Sequence, residues 1–295
     1  MGFEIKYIDR ASKKLITEKV PGFSALRFLY YNPFGKLALN GVVKRKFLSY
    51  IFGQFMNSKL SRPWIRSFID NYNIELSDYK KELYKFRSFN DFFYRELKPN
   101  KRSIANDIVS PADGKIVAFD CVEKNTLFYV KGSEFSLSDF LKEEDLSEKY
   151  RNGSLAIIRL APSDYHRFHF PASGNINQSK RIKGKYYSVS PIAMKKSLEI
   201  FCQNKREYST LKTEKLGDIL ISEIGATFVG SIQQTYKPNT FVKKGNEKGY
   251  FAFGGSSILL LFEKGKIKID DDIIENTKNG LETNIMVGER IATPL

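Results

Sequence analysis

Four side chains in this sequence have the types and setting to do chemistry together: Ser256, His166, His169 and Asp113. Ser256 stands in Gly254-Gly255-Ser256-Ser257, directly ahead of the apolar run Ile258-Leu259-Leu260-Leu261-Phe262. A hydroxyl carried into the mouth of a buried strand is costly unless it has a partner or a task. A serine that follows glycine can attack the carbonyl behind it, because glycine offers little obstruction and tolerates an unusual backbone. The attack moves the acyl group from nitrogen to oxygen. It needs a base for the hydroxyl proton and a group to orient that base. The chain has two histidines, His166 and His169, both in APSDYHRFHFP at 161–171. Asp113 lies in SPADGKIV at 110–117, where Pro-Ala-Asp-Gly is a turn signal. One serine, one of the two histidines and one turn aspartate supply nucleophile, base and orienter, aimed at the chain's own backbone. The ester then eliminates across the serine Cα–Cβ bond to dehydroalanine, which hydrolyses to a pyruvoyl group at a new N-terminus. A substrate amine can condense with that ketone.

Each feature also has a plain structural explanation. Gly-Gly-Ser-Ser ahead of a strand reads as a turn, and Asp113 as a turn residue bonding its own backbone. Metal binding is not expected. In an extended segment His166 and His169 point to opposite faces, and third and fourth ligands are not evident nearby.

The elements that must position these residues divide at about residue 100. Residues 22–100 read as mostly helical, broken by Pro33 and Gly41 and carrying the basic cluster Lys44-Arg45-Lys46. Their abundant aromatics suit either a helical subdomain or a segment lying in a lipid interface. The polar connector RELKPNKRSIANDIVSPADG at 95–114 marks the boundary. Beyond it, short β-type runs alternate with Gly and polar turns: KIVAFDCV, TLFYVKG, SLAIIRLA, DILISEIGATFVGSI and YFAFGGSSILLLFEKGKIKI. A helix is expected at 190–207, opened by Ser190 with Pro191 behind it. The fold class is therefore α+β. A β-rich, mainly antiparallel, sandwich- or barrel-like catalytic domain at 101–295 follows an N-terminal helical, membrane-associated region at 1–100.

Composition narrows the partners. The formal net charge is +15, from 48 basic and 33 acidic residues. Anionic membrane, nucleic acid or an acidic substrate fits that excess. No RNA-binding signature or zinc finger supports nucleic acid. The two cysteines, Cys121 and Cys202, form no CxxC pair, which fits free thiols. MGFEIKYIDRASKK has no apolar signal core, and no stretch reaches the roughly 18 apolar residues of a membrane span. The chain is expected to be soluble or peripheral.

SPADGKI, APSDYHRFHFP, YYSVSPIAM, IGATFVGSI and VKKGNEKGYFAFGGSSILLLFE resemble, in order and spacing, the phosphatidylserine decarboxylases of the short prokaryotic type. FNDFFYRELKP at 89–99 also looks like that family. The resemblance covers residues 85–295, and the helical N-terminus more loosely. It implies cleavage between Gly255 and Ser256, leaving chains 1–255 and 256–295, with Ser256 becoming a covalent pyruvoyl cofactor. Asp113, His169 and Ser256 match the self-cleavage charge relay, and His166 the histidine linked to decarboxylation and proton transfer. Ser188, in YYSVSP, lies in a segment that lines the substrate site in relatives. Ser257 stands where threonine is usual, and both carry a hydroxyl. The implied reaction converts phosphatidylserine to phosphatidylethanolamine through a Schiff base with the pyruvoyl group. It implies a heterodimer of cleaved chains, a homodimer of these, and a peripheral place on the cytoplasmic side of the cell membrane. The alternatives are a pyruvoyl-dependent decarboxylase of a small soluble amino acid and a non-enzymatic basic lipid-binding protein.

Overall fold

A computed structural model describes residues 5–18, 28, 32, 46–122, 125–128, 133–185, 187, 199–225, 232–252 and 254–295. The apolar run after the paired glycines forms the strand Ser256–Phe262, and every residue of it is buried. It lies between Asp218–Gly225 and Gly153–Leu160, antiparallel to both. Ile258, Leu260 and Phe262 enter one core with Ile116, Ile158, Ile221 and Phe168. Leu259 and Leu261 enter a second core with Leu155, Ile157, Leu220 and Phe140. With apolar side chains on both faces, the strand has no reason to alternate with polar residues.

This strand is central in an eleven-stranded sheet. The path runs from Thr240–Val242 through Gly174–Ile176, Arg206–Lys212, Asp218–Gly225, Ser256–Phe262, Gly153–Leu160, Gly114–Val122, Glu282–Ile285 and Lys6–Asp9 to Leu15–Thr17, and Lys180–Ile182 branches onto Arg206–Lys212. Among the paired strands of the described residues, only Lys6–Asp9 beside Glu282–Ile285 is parallel. The path has two free ends among the described residues, so the β body is an open sheet covered on both faces. A separate three-stranded sheet joins Ile232–Gln234, Glu247–Phe251 and Arg167–His169, and it delivers the histidines.

Helices Lys46–Asn57, Trp64–Tyr72 and Phe89–Phe93 form a layer around an aromatic core of Phe52, Phe55, Phe68, Phe86, Phe89, Phe92 and Phe93. Phe68 and Phe89 meet edge to face at 5.2 Å, a favoured geometry for aromatic rings. Among the described residues no helix is long and apolar enough to cross a membrane. Most of 19–45, including Pro33, Gly41 and Lys44-Arg45 of the expected lipid-facing stretch, lies outside the described residues.

Two expectations change. The N-terminal region is not uniformly helical, because Lys6–Asp9 and Leu15–Thr17 complete the main sheet. Distant charges hold these strands. Arg10 reaches Asp270 and Asp272, and Glu18 meets the buried Arg159 at 2.7 Å. The expected helix at 190–207 is only Glu199–Gln203 within the described residues, and Arg206–Lys212 is a strand. Pairing with Asp218–Gly225 along its whole length settles that segment. Ser190 and Pro191 lie outside the described residues.

Candidate active site

Strand alternation sorts the two histidines. His166 and Phe168 are buried, whereas Arg167 and His169 between and after them are half-buried. The two imidazoles therefore face opposite sides, as period two requires. The Phe251 amide donates to the His166 carbonyl at 2.9 Å, which ties the histidine segment to the chain leading into Gly254. Gly254 has φ 135°, a region that essentially only glycine enters. Ser256 follows, opposite Gly225 on one neighbour and Leu160 on the other.

Hydrogen bonding fixes the His166 tautomer. Its Nε2 lies 3.0 Å from the Ala161 carbonyl oxygen. A carbonyl can only accept, so Nε2 carries the hydrogen and Nδ1 presents a lone pair. Nδ1 is 3.4 Å from Ser256 Oγ, and both groups are fully buried. The Phe93 ring stacks on His166 at 3.9 Å and 22°. Burial, and then the nearby Arg95 charge, push the His166 pKa down to about 3. The serine hydroxyl therefore faces a neutral imidazole throughout the physiological range.

His169 is fixed in the opposite sense. Its Nδ1 donates to the Gly245 carbonyl at 2.9 Å, leaving Nε2 to accept from the Tyr165 hydroxyl at 3.2 Å. Gly245 has φ +80°, and a Cβ there would meet Ile104 at 2.9 Å, so the carbonyl placement depends on glycine. Burial lowers the His169 pKa, while its bond to Gly245 and the charges of Glu247 and Asp113 oppose the shift. Asp113 itself accepts from the Val287 amide at 2.7 Å and from Arg102 at 2.7 and 3.3 Å.

The structure thus brings Ser256 against His166, and sets Asp113 and His169 as electrostatic neighbours. The direct contacts expected of a Ser256–His169–Asp113 relay are not made: the His169 nitrogens engage Gly245 and Tyr165, and the Asp113 carboxylate engages Arg102 and Val287. The physical reason is the alternation, which turns the His169 ring away from the face holding Ser256. Ser188 lies outside the described residues. The Ser257 hydroxyl is buried and has no hydrogen-bond partner among the described residues.

Several residues at the site were not anticipated. Lys115 holds Asp164 at 2.8 Å, and Asp164 in turn accepts from the Ala161 amide at 2.7 Å, bracing the turn before His166. Burial pulls the Lys115 pKa down, but Asp164 and Glu18 together push it up and the net shift is upward. Tyr165 and Asp164 were visible inside APSDYHRFHFP. Arg102 stands 11 residues before Asp113, its partner, and Phe93 and Arg95 lie within FNDFFYRELKP, but nothing in that motif names His166 as their neighbour.

A pyruvoyl group would be made from residue 256 itself, so the fit concerns what surrounds that residue. A buried hydroxyl, a glycine-permitted bend before it and a neutral imidazole with its lone pair turned toward it fit that origin. Such a site belongs to a proenzyme, an enzyme whose reactive group comes from its own chain. Comparison with known proteins gives the particular family. A phosphatidylserine decarboxylase profile matches residues 89–293, and the chain belongs to that family. It is 56% identical over 294 residues to the phosphatidylserine decarboxylase proenzyme of Fusobacterium nucleatum subsp. nucleatum, covering 98% of each chain. The proenzymes of Clostridium tetani and Desulfitobacterium hafniense are 48% and 47% identical, each over 97% of both chains.

Proposed function

We propose that this protein decarboxylates phosphatidylserine to phosphatidylethanolamine after cutting itself between Gly255 and Ser256. The observation that carries the proposal is the buried Ser256 hydroxyl facing the His166 imidazole at 3.4 Å, at the head of the central strand. In the cut, Ser256 Oγ bonds to the Gly255 carbonyl carbon and the Gly255–Ser256 C–N bond breaks, leaving an ester. Loss of the Ser256 α-proton and of the Gly255 carboxylate gives dehydroalanine. Water then replaces nitrogen, ammonia leaves, and a ketone remains at residue 256. That carbonyl supplies the electron sink for decarboxylation. His166 faces residue 256, so it is the group placed to return a proton to the headgroup α-carbon once CO2 has left.

Asp113 and His169 are proposed as the relay for cutting, on the strength of the family match. The contact between Ser256 and His166 favours a second assignment, in which His166 itself takes the hydroxyl proton and Asp113 and His169 hold the segment in place.

The substrate is the lipid rather than a free amino acid because the family is named for it and the chain carries an excess positive charge. The anionic membrane surface is the proposed partner, on the cytoplasmic side. Chains 1–255 and 256–295 are proposed to remain together as a heterodimer, with a homodimer of these as the larger assembly. Denaturing electrophoresis with intact-mass measurement tests the central claim. Two chains carrying the mass of a ketone are expected from the unmutated protein, and one full-length chain from Ser256→Ala. An unmutated protein that stays full-length and fails to react with carbonyl-trapping reagents overturns it.

A further inference from the structure

Arg95 heads the largest fully buried side chains of the molecule, at 2% exposure, two residues beyond the helix Phe89–Phe93. It forms no ion pair with a carboxylate among the described residues. Its Nη2 donates to the carbonyls of Ser163 at 3.0 Å and Asp164 at 3.2 Å, and its Nε is buried with no partner. The guanidinium lies 4.5 Å from the Tyr79 ring centre and 4.9 Å from that of Phe92. Burying a cation without a counter-charge is among the most expensive things a fold can do. A neutral amide would hold the same two carbonyls at less cost. What the cation adds is its charge, held on the Ser163–Asp164 turn that leads into His166 and two residues from the Phe93 that stacks on the His166 ring.

The helical layer thus grips the histidine segment at two points. Phe93 stacks on the ring, and Arg95 bonds the turn that leads into it. We propose that Arg95 is a positioning residue for the Ser256 site, holding the Ser163–Asp164 turn and setting, through its uncompensated charge, the proton affinity of the His166 imidazole. The proposal rests on His166 being the proton-transfer group at residue 256. A neighbouring cation disfavours the imidazolium, so Nδ1 is unprotonated at rest and any proton it takes up in a step is passed on readily. The other groups packed around His166 are consistent with this. Lys115, from strand Gly114–Val122, pushes in the same direction but is neutralised by Asp164. Ala161 and Ser256 meet the ring nitrogens, and Phe251 donates to the His166 backbone carbonyl. Tyr165, the residue just before it in the chain, bonds His169 instead.

The chain has two histidines, so nitrogen NMR of isotope-labelled histidine reads them individually, with His169→Gln assigning the signals. The background is the full-length Ser256→Ala chain, so the readout does not depend on turnover. Arg95→Gln keeps hydrogen bonding without charge, and Arg95→Lys keeps charge with a weaker grip. The expected result is that the protonated fraction of His166 at pH 5 rises about tenfold in Arg95→Gln, the effect of one unit. In Arg95→Lys it should stay near the parent value, and His169 should not move in either. Equal fractions in parent and Arg95→Gln, or equal rises in both variants, overturn the proposal. Arg95→Met serves as the neutral variant if Arg95→Gln does not fold. If the NMR shift appears while the unmutated protein fails to decarboxylate the lipid, the functional proposal falls and the role of Arg95 in setting His166 stands.

Discussion

At the scale of single residues, distance and basicity pull the two histidines toward different tasks. His166 is the one in reach of Ser256, but an imidazole whose pKa is near 3 is a weak base for a serine proton. General-base efficiency is best when the pKa lies near the working pH. His169, beside the negative charges of Glu247 and Asp113, is the better base, while His166, neutral at rest, holds a proton on Nδ1 only briefly and gives it up readily. His169→Ala is therefore expected to stay full-length on a denaturing gel. His166→Ala is expected to cut and then fail to release CO2. A full-length His166→Ala chain beside a normally cut His169→Ala chain would move the cutting base to His166. The same depressed pKa makes a stability prediction. An unfolded His166 protonates near pH 6.5, whereas the folded one resists until about pH 3. Its contribution is complete above pH 6.5 and is lost as pH falls, with a limiting slope of about 1.4 kcal/mol per pH unit. Urea midpoints of the Ser256→Ala chain should drop between pH 6.5 and 4, and His166→Gln should remove part of that drop.

At the scale of elements, the site depends on two sheets keeping their spacing, and a buried pair spans them. Lys248, from the strand beside the histidines, meets Glu223, from the strand beside Ser256–Phe262, at 2.7 Å with both side chains fully buried. Gln234 bonds both partners, at 3.0 and 2.8 Å. Burial lowers the Lys248 pKa and raises that of Glu223, so each depends on the other. Lys248→Ala strands a buried carboxylate and should cost about 3–5 kcal/mol in denaturant melts. The double change Lys248→Met with Glu223→Leu should recover most of it. A full loss in the double variant would show that the pair's value lies in its bonds rather than in its mutual dependence. These elements were unevenly legible beforehand. ILLLF announced a strand covered on both faces, and HRFH announced two imidazoles facing apart. Lys248 and Glu223 lie 25 residues apart, and KYID is four residues long, so neither leaves a periodic trace. At Arg206 and Glu207, the last two residues of the expected helix, ladder pairing on both sides prevailed. The chemistry of Ser256 was legible because it is local: glycine, hydroxyl and scissile carbonyl are consecutive. The partner of its hydroxyl was not, because it depends on how the histidine segment is turned.

At the scale of the whole molecule, the cut and the membrane make separate demands. Residues 256–295, the smaller product of the proposed cut, supply the central strand, and also Glu282–Ile285 between Gly114–Val122 and Lys6–Asp9. Five consecutive fully buried apolar side chains, Ile258 to Phe262, at roughly 1.5–3 kcal/mol each, would hold this segment in place once the peptide bond is cut. The two chains should co-elute in native buffer and separate only in denaturant. The proposed membrane contact falls on other surfaces. Leu60, Trp64 and Tyr84 are exposed at 75%, 49% and 65% on the helical layer, the layer that also carries Phe93 and Arg95. Large exposed apolar groups beside an excess of 15 positive charges suit a headgroup interface, with rings inserted and cations on phosphate and carboxylate. Each basic side chain near an anionic surface contributes about 1 kcal/mol, and that attraction is screened by salt. Vesicles containing phosphatidylserine should therefore bind the protein at low ionic strength and release it as sodium chloride is added, while phosphatidylcholine vesicles bind weakly throughout. Leu60→Ser with Trp64→Ser should weaken binding at every salt concentration without flattening the salt dependence, since it removes area and leaves charge. Equal binding to neutral vesicles at high salt would show that the positive charge serves something other than the lipid.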